Sequence, residues 1–376
     1  MTAPGPGLLR LVVAVAGSNA MLTAPLAPVL AARLDRPVES ILATATAFGG
    51  AALLSALGLA ALPDRIGLAR GMALGLAVLA AGFALLALAG SVPALVVGQA
   101  LAGLGTGIAL PAAYALAVAT AAPGQAARAL GSALLGWTLA LVTGIALAAP
   151  LAAATHPGLV YGAYAGVTAG LAAVALRRDV PRGPKPPGRR ALLARPGVPR
   201  GLLALTALMT AFYLCFTFIG AQVVEGLNAP PGRAGLLPLA YGLGFGLAFR
   251  LDPLIDRHGV ARVGGPLMAG MALLYLGFAA FADSSLAAFV TLGAIWGVGQ
   301  HVSLTLAMAR LAARAPEARG TMAGLSVAVT YVAVFLGAAL GAPLFAWGGF
   351  MPLGLVAAGL LLVLTVEVRT HAETSI

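Results

Sequence analysis

Long apolar runs, broken at short intervals by small clusters of charge, proline and glycine, organise the whole chain. A helix needs roughly 20 apolar residues to cross the hydrocarbon of a bilayer. Stretches that reach that length begin near Leu8, Ile41, Gly71, Val92, Ala129, Pro157, Gly201, Gly235, Val263, Leu286, Gly320 and Met351. The runs are continuous, rich in Ala and Leu, and free of period-two alternation, so they predict helices and not barrel strands. The first run is too long for the core of a signal peptide and is followed by others, which predicts a retained helix. The expected fold is therefore all-α and integral to a membrane, with twelve transmembrane helices.

The interruptions between the runs repeat. After the second predicted helix the chain reads Asp64-Arg65-Ile66-Gly67-Leu68-Ala69-Arg70, and after the eighth it reads Asp256-Arg257-His258-Gly259-Val260-Ala261-Arg262. Pro123 and Arg128 follow the fourth helix as Pro316 and Arg319 follow the tenth. Gly144 to Leu151 on the fifth helix match Gly337 to Leu344 on the eleventh. Matches in the same order at nearly one offset imply duplication of a six-helix unit. Between the copies lies a basic, proline-rich segment from Arg177 to Arg190, which reads as a linker. The expected organisation is residues 1–176 as one six-helix bundle, 177–200 as a cytoplasmic linker and 201–376 as the second bundle.

Composition sharpens this picture. Of the 376 residues 61% are hydrophobic and only 9% charged, too few to cover the surface of a soluble protein. The net charge of +11 would suggest nucleic acid in a soluble chain, but the location of the charge gives it another meaning. With the N-terminus in the cytoplasm, nineteen of the 22 Lys and Arg fall in cytoplasmic segments, leaving Arg33, Arg36 and Arg233 on the other side. The positive-inside rule then places both termini in the cytoplasm, which an even helix count requires. No nucleic-acid partner is expected. The single cysteine, Cys215, and the scattered histidines, His156, His258, His301 and His371, offer no disulfide and no metal spacing, so no metal or other cofactor is expected. Asp252 and Asp256 form a D-x-x-x-D of the kind that holds Mg²⁺ and diphosphate in intramembrane prenyltransferases. A second acidic motif is missing and the repeat already accounts for Asp256, so an enzyme is not expected.

Twelve helices in two halves, a basic central loop and D-R-x-G-x-x-R after the second and eighth helices resemble the major facilitator superfamily over nearly the whole chain. In that family the short loop reads G-x-x-x-D-R-x-G-R-R. Here Ala60 replaces the leading Gly and one basic residue is missing. The resemblance implies a gating latch in which the acidic residue faces a helix N-terminus and the arginines pair with carboxylates or carbonyls. Its members would be Asp64, Arg65, Gly67 and Arg70, and Asp256, Arg257, Gly259 and Arg262. Pro25, Pro28, Ala31 and Leu34 resemble the P-x-x-P-x-x-A-x-x-L signature of twelve-helix drug/proton antiporters and sugar-efflux proteins. Gly144 and Pro150, with Gly337, Gly341 and Pro343 in the better copy, resemble the helix-packing motif of that branch. Gln99 lies where the branch often carries an intramembrane Arg.

The resemblance implies a small-molecule substrate held near the midplane, mainly by helices one, four, seven and ten. Candidate contacts are Asn19, Gln99, Thr106, Tyr213, Phe216, Trp296, Gln300 and His301, with Trp137, Tyr241 and Tyr331 from neighbouring helices. A buried amide or imidazole is costly in hydrocarbon unless it meets a partner, so bonding to an adjacent helix is the alternative role for Asn19, Gln300 and His301. No acidic residue is expected at the middle of a helix, which favours a neutral or weakly polar substrate over a cation. Coupling would then use His301, a helix-end acid such as Asp35 or Glu225, or no group at all; His301 is the candidate for exchanging a proton, with substrate hydrogen bonding or bracing of its helix as alternatives. The absent side chain at Gly297 is expected to leave room beside the imidazole. The sequence thus predicts a monomeric secondary transporter of the inner membrane, in contact with lipid and working by alternating access. Efflux is the expected direction, with facilitated or proton-coupled uptake of a metabolite as the alternative.

Overall fold

The computed structural model describes residues 4–59, 61–141, 148–178, 187–230, 233–258 and 260–372. Among these residues the regular structure is entirely helical and groups into twelve consecutive segments. They are α1 (Pro6–Leu34), α2 (Val38–Ala43 and Ala45–Gly58), α3 (Leu68–Leu88), α4 (Val92–Ala119), α5 (Ala126–Leu141 and Ala148–Ala154) and α6 (Pro157–Leu176). After the linker come α7 (Val198–Phe216, Ile219–Ala221 and a π turn at Gln222–Gly226) and α8 (Leu236–Leu247, Ala248–Leu251 and Asp252–His258). The last four are α9 (Val260–Phe281), α10 (Leu286–Arg314), α11 (Arg319–Gly348) and α12 (Phe350–Ala372). Among the described residues, eight helices are long and apolar enough to cross a membrane by length and composition. Large apolar side chains such as Leu54, Leu203 and Phe335 stand exposed, an arrangement that water penalises and lipid does not.

Helix starts follow local chemistry. Ser91 accepts from the Ala94 N–H at the head of α4, and the His156 ring accepts from the Gly158 N–H at the head of α6, each followed by a proline in the first turn. Gly67 separates the short helix Leu62–Ile66 from α3 at φ 101°, a conformation that side-chain-bearing residues rarely adopt.

The chain forms two compact units. Unit 1 comprises Met1–Ala122, Ser132–Arg195 and Ala312–Ala328; unit 2 comprises Pro123–Gly131, Pro196–Leu311 and Val329–Ile376. In unit 1, absent side chains let backbones approach. A Cβ on Gly75 would lie 2.5 Å from the Ala109 nitrogen, and one on Gly103 would lie 2.2 Å from the Phe48 carbonyl oxygen. These glycines seat α4 against α3 and α2. In unit 2 the same device seats α10 against α8: a Cβ on Gly244 or on Gly297 would lie 2.0 Å from the carbonyl oxygen of Ala294 or Tyr241. Gly337 and Gly341 of α11 meet Tyr213, Leu214 and Phe218 of the α7 segment, while Pro343 lies exposed inside α11. Gly144 lies outside the described residues, as do Gly259 and the side chain of Pro150.

Candidate functional site

The polar candidates of unit 1 are tied to each other. Asn19 and Thr23 stand one turn apart on α1, so both reach α4. Asn19 Nδ2 donates to Gln99 Oε1 at 2.6 Å, and Gln99 Nε2 donates to Thr23 Oγ1 at 3.0 Å. All three side chains are buried. Thr106 donates to the Ala16 carbonyl at 3.5 Å. Asn19 thus bonds across to α4, and its Oδ1 is left without a hydrogen-bond partner. Trp137 of α5 donates from Nε1 to the Tyr114 hydroxyl at 2.8 Å and lays its ring over Gly17 of α1.

The aromatic candidates of unit 2 form one cluster, and its centre is a residue absent from the sequence-derived set. Phe212 lies 4.8 Å from Phe216, 5.0 Å from Trp296 and 5.4 Å from Tyr241, with Tyr213 at 4.9 Å (ring centroids). The i, i+4 spacing of Phe212 and Phe216 is the signal that could have found it. Trp296 is fully buried and its Nε1 donates to the Tyr275 hydroxyl at 2.9 Å, which fits a packed anchor. Tyr331 is half-buried on α11.

The main departure from expectation is Asp252. The sequence pattern puts no acid at the middle of a helix, yet Asp252 is fully buried, and both its carboxylate oxygens lie 3.1 Å from His301 Nε2. Helix α8 continues to His258, so Asp252 sits inside the helix and not after it. The reason is a stripe. Tyr241, Phe245 and Asp252 recur at helical spacing on α8 and face Gly297 and His301 of α10. The room expected beside the imidazole at Gly297 is filled by α8 backbone, which comes close enough for His301 to reach Asp252. The Phe245 ring meets the imidazole edge-on at 4.7 Å. Gln300, the preceding residue, points its Nε2 at Met209 Sδ at 3.5 Å. Gln300 Oε1 and His301 Nδ1 are buried with no hydrogen-bond partner. A buried carboxylate held by an imidazole forms a pair whose net charge changes by one with each proton taken up or given away.

The repeated loops meet helix N-termini. Asp64 accepts from the Gly320 N–H at 2.8 Å, the Thr321 N–H at 2.7 Å and the Thr321 hydroxyl at 2.7 Å, all within unit 1. Asp256 accepts from the Ala127 and Arg128 N–H groups, each at 3.1 Å, within unit 2. Each carboxylate thus satisfies orphan donors in the first turn of α11 or α5, where the helix dipole favours negative charge. The positions differ by 192 for the acids and 193 for the donors, so the sequence repeat is also a repeat of contacts. The arginines depart from expectation. Arg65, Arg70, Arg257 and Arg262 are exposed, and no hydrogen bond or ion pair joins any of their side chains to another described residue. A pair that does form is Arg195 with Glu317; the guanidinium holds that carboxyl below the usual carboxylate range. Both groups are partly solvated, so the pair adds little stability.

Residues 9–251 match the family model described as Major Facilitator Superfamily. The chain is 26% identical over 364 residues to an uncharacterized MFS-type transporter, YwfA, of Bacillus subtilis strain 168, covering 94% of this chain and 88% of that protein. Among solved structures it resembles the human organic anion transporter MFSD10 (TM-score 0.79, 15% identity) and a point variant of the Escherichia coli fucose:proton symporter FucP (TM-score 0.79, 14% identity). Each alignment covers 96% of this chain and 97% of the other, and at such identity shows the shared fold.

Proposed function

Because this chain belongs to the Major Facilitator Superfamily, a family of membrane transporters and not of enzymes, we propose that it exports a small, neutral or weakly polar organic molecule in exchange for protons. Secondary transport of a small molecule is the family's activity; the direction, the coupling ion and the substrate class are our reading. The observation that carries it is the buried Asp252–His301 pair. The pair is a buried acid–imidazole contact, and proton relays in transporters are built from such groups. The carboxylate is fully buried against the imidazole, so it is not open to direct contact with a cationic substrate. In this reading the two sequence halves, 1–176 and 201–376, alternate access to the substrate, with the Asp64 and Asp256 caps acting as latches at their cytoplasmic ends. Both termini are cytoplasmic, the monomer is the working unit, and the drug/proton antiporter and sugar-efflux branch is the family setting. The Arg-rich linker and cytoplasmic loops support that orientation.

The test begins with a thermal-shift screen, since a molecule that binds the folded state raises its apparent stability. A hit is then followed in proteoliposomes under an imposed pH gradient. The expected result is movement of the molecule opposite to the proton, abolished in Asp252→Asn. Movement in the same direction as the proton would make the protein an uptake system, and indifference to the gradient would remove proton coupling.

A further inference from the structure

Asp252 has a third neighbour besides His301 and the apolar stripe. A Cβ placed on Gly131, in the second turn of α5, would lie 1.7 Å from Asp252 Oδ2. Only a residue without a side chain fits against this carboxylate. One helical turn further along α8, Asp256 takes the N–H groups of Ala127 and Arg128 at the head of the same helix. Asp252 and Asp256, spaced i, i+4, therefore both address the beginning of α5. Ala127 is also packed with Ala248 and Ile255 of α8 and Val302 and Leu306 of α10, against Leu267 of α9. The head of α5 is held by one carboxylate that reaches its backbone, and a second carboxylate, shared with His301, lies close against its second turn.

We propose that the Asp252–His301 pair is a proton-operated gate that sets whether the head of α5 stays docked on α8. The inference deepens the exporter reading and rests on it for the direction of coupling. With one proton between them the pair carries a net charge of about −1, facing the positive end of the α5 dipole. A second proton, taken up on the pair, leaves an imidazolium beside a carboxylate and a net charge near zero. The attraction on the head of α5 then comes from Asp256 alone. A negative charge one turn inside a helix N-terminus, where the dipole's influence is already falling off, changes such an equilibrium by about two- to threefold. Proton loading thus loosens the end of α5, and proton loss tightens it. If that end faces the cytoplasm, as the positive-inside rule implies, proton entry and opening to the cytoplasm go together, as exchange of an inward proton for an outward substrate requires.

The charged groups on the packed elements are few. On α8, Asp256 acts on Asp252 through space, and Arg250 and Arg257 are exposed. α5 carries Arg128, whose side chain is exposed, and α9 carries the exposed Arg262. α10 carries His301 and, toward its end, Arg310 and Arg314, and α8 ends at His258, whose side chain lies outside the described residues. The duplication supplies an internal control. The position equivalent to Asp252 in the first half is Ala60, so the Asp64 cap on α11 has no second carboxylate and no titratable partner beside it at that place.

The test places spin labels on cysteines replacing the exposed Gln125 and Arg257; Cys215 is buried and stays unlabelled. Distances are read from roughly pH 8 to roughly pH 5, the interval in which imidazole side chains change charge. The expected result is a fall of about two- to threefold in the ratio of short to long distances as pH falls. Asp252→Asn should hold the ratio near its low-pH value at every pH. Asp256→Asn should lower the ratio but keep its pH response. If Asp252→Asn does not fold, His301→Gln, which keeps a donor for Asp252, must also lose the response. A wild-type ratio that ignores pH, or a response that survives both variants, would overturn the gate. Gradient-driven transport on the same preparation separates the two claims. Transport without a label response removes the gate alone, while a label response without gradient-driven transport removes proton-coupled export and leaves the gate.

Discussion

Replacing His301 with Leu should destabilise the protein by about 3–5 kcal/mol, the cost of breaking a buried pair by removing one partner. The variant leaves the Asp252 carboxylate with no side chain to satisfy it in a site that water does not reach. His301→Gln should recover much of that loss, because an amide N–H can still donate to Asp252, but it should not recover proton-driven transport. The informative protein is the double variant Asp252→Leu with His301→Leu. Replacing both members of a buried pair by apolar residues is often neutral or stabilising, so the double variant should be more stable than either single change while remaining inactive. Thermal unfolding in detergent measures this series. A His301→Leu protein as stable as wild type would mean that the two side chains do not depend on each other.

Asp64→Ala should produce the second large effect. It removes the acceptor from three donors at the head of α11, two backbone N–H groups and one hydroxyl. Hydrogen bonds to a charged group contribute about 1.5–3 kcal/mol each. Because Asp64 is partly exposed and water can replace part of what is lost, the net effect is about 2–3 kcal/mol, not the full sum. Such a change redistributes two states by more than tenfold. Transport should therefore fall at least tenfold while the ligand Kd stays within a few-fold, because Asp64 bonds the head of α11 and none of the candidate substrate contacts. Thr321→Val removes one of the three bonds and should show a smaller loss of the same kind. Wild-type transport in Asp64→Ala would take the latch out of the account.

Much of the architecture is readable from the chain because the physics behind it is local. A helix that must span hydrocarbon needs a continuous apolar run, and a run long enough leaves little choice of structure. The duplicated Asp-Arg loops are readable because they recur in order, and the expectation that the acid faces a helix N-terminus matches the contacts of Asp64 and Asp256. The arginine half of that expectation is not met: the side chains of Arg65 and Arg70 are exposed and reach no carboxylate or carbonyl among the described residues. What stays hidden depends on how far a helix runs and what stands opposite it. Asp252 looks like part of a charged loop when only its neighbours Arg250, Asp256 and Arg257 are considered. It becomes a buried residue because α8 extends past it and because Gly131, 121 positions earlier, leaves space for its carboxylate. Likewise Gly297 does share a face with His301, as its spacing predicts, but the space it leaves is taken by the Tyr241 carbonyl and the Phe245 nitrogen. The mutual bonding of Asn19, Gln99 and Thr23 is a long-range pairing, and spacing along either helix does not reveal it.

The central claim is that substrate and proton compete through the Asp252–His301 pair. The most direct measurement is proton release on binding: a ligand found by thermal shift is added to purified protein in weakly buffered detergent at near-neutral pH, and the change is followed with a pH indicator. The account predicts about one proton released per ligand bound in wild type, since an exchanger must shed the proton to take the substrate. It predicts none in Asp252→Asn, although that variant still binds. Ligand binding to the wild-type protein at saturating concentration with no proton released, across the pH interval in which imidazole titrates, would contradict it.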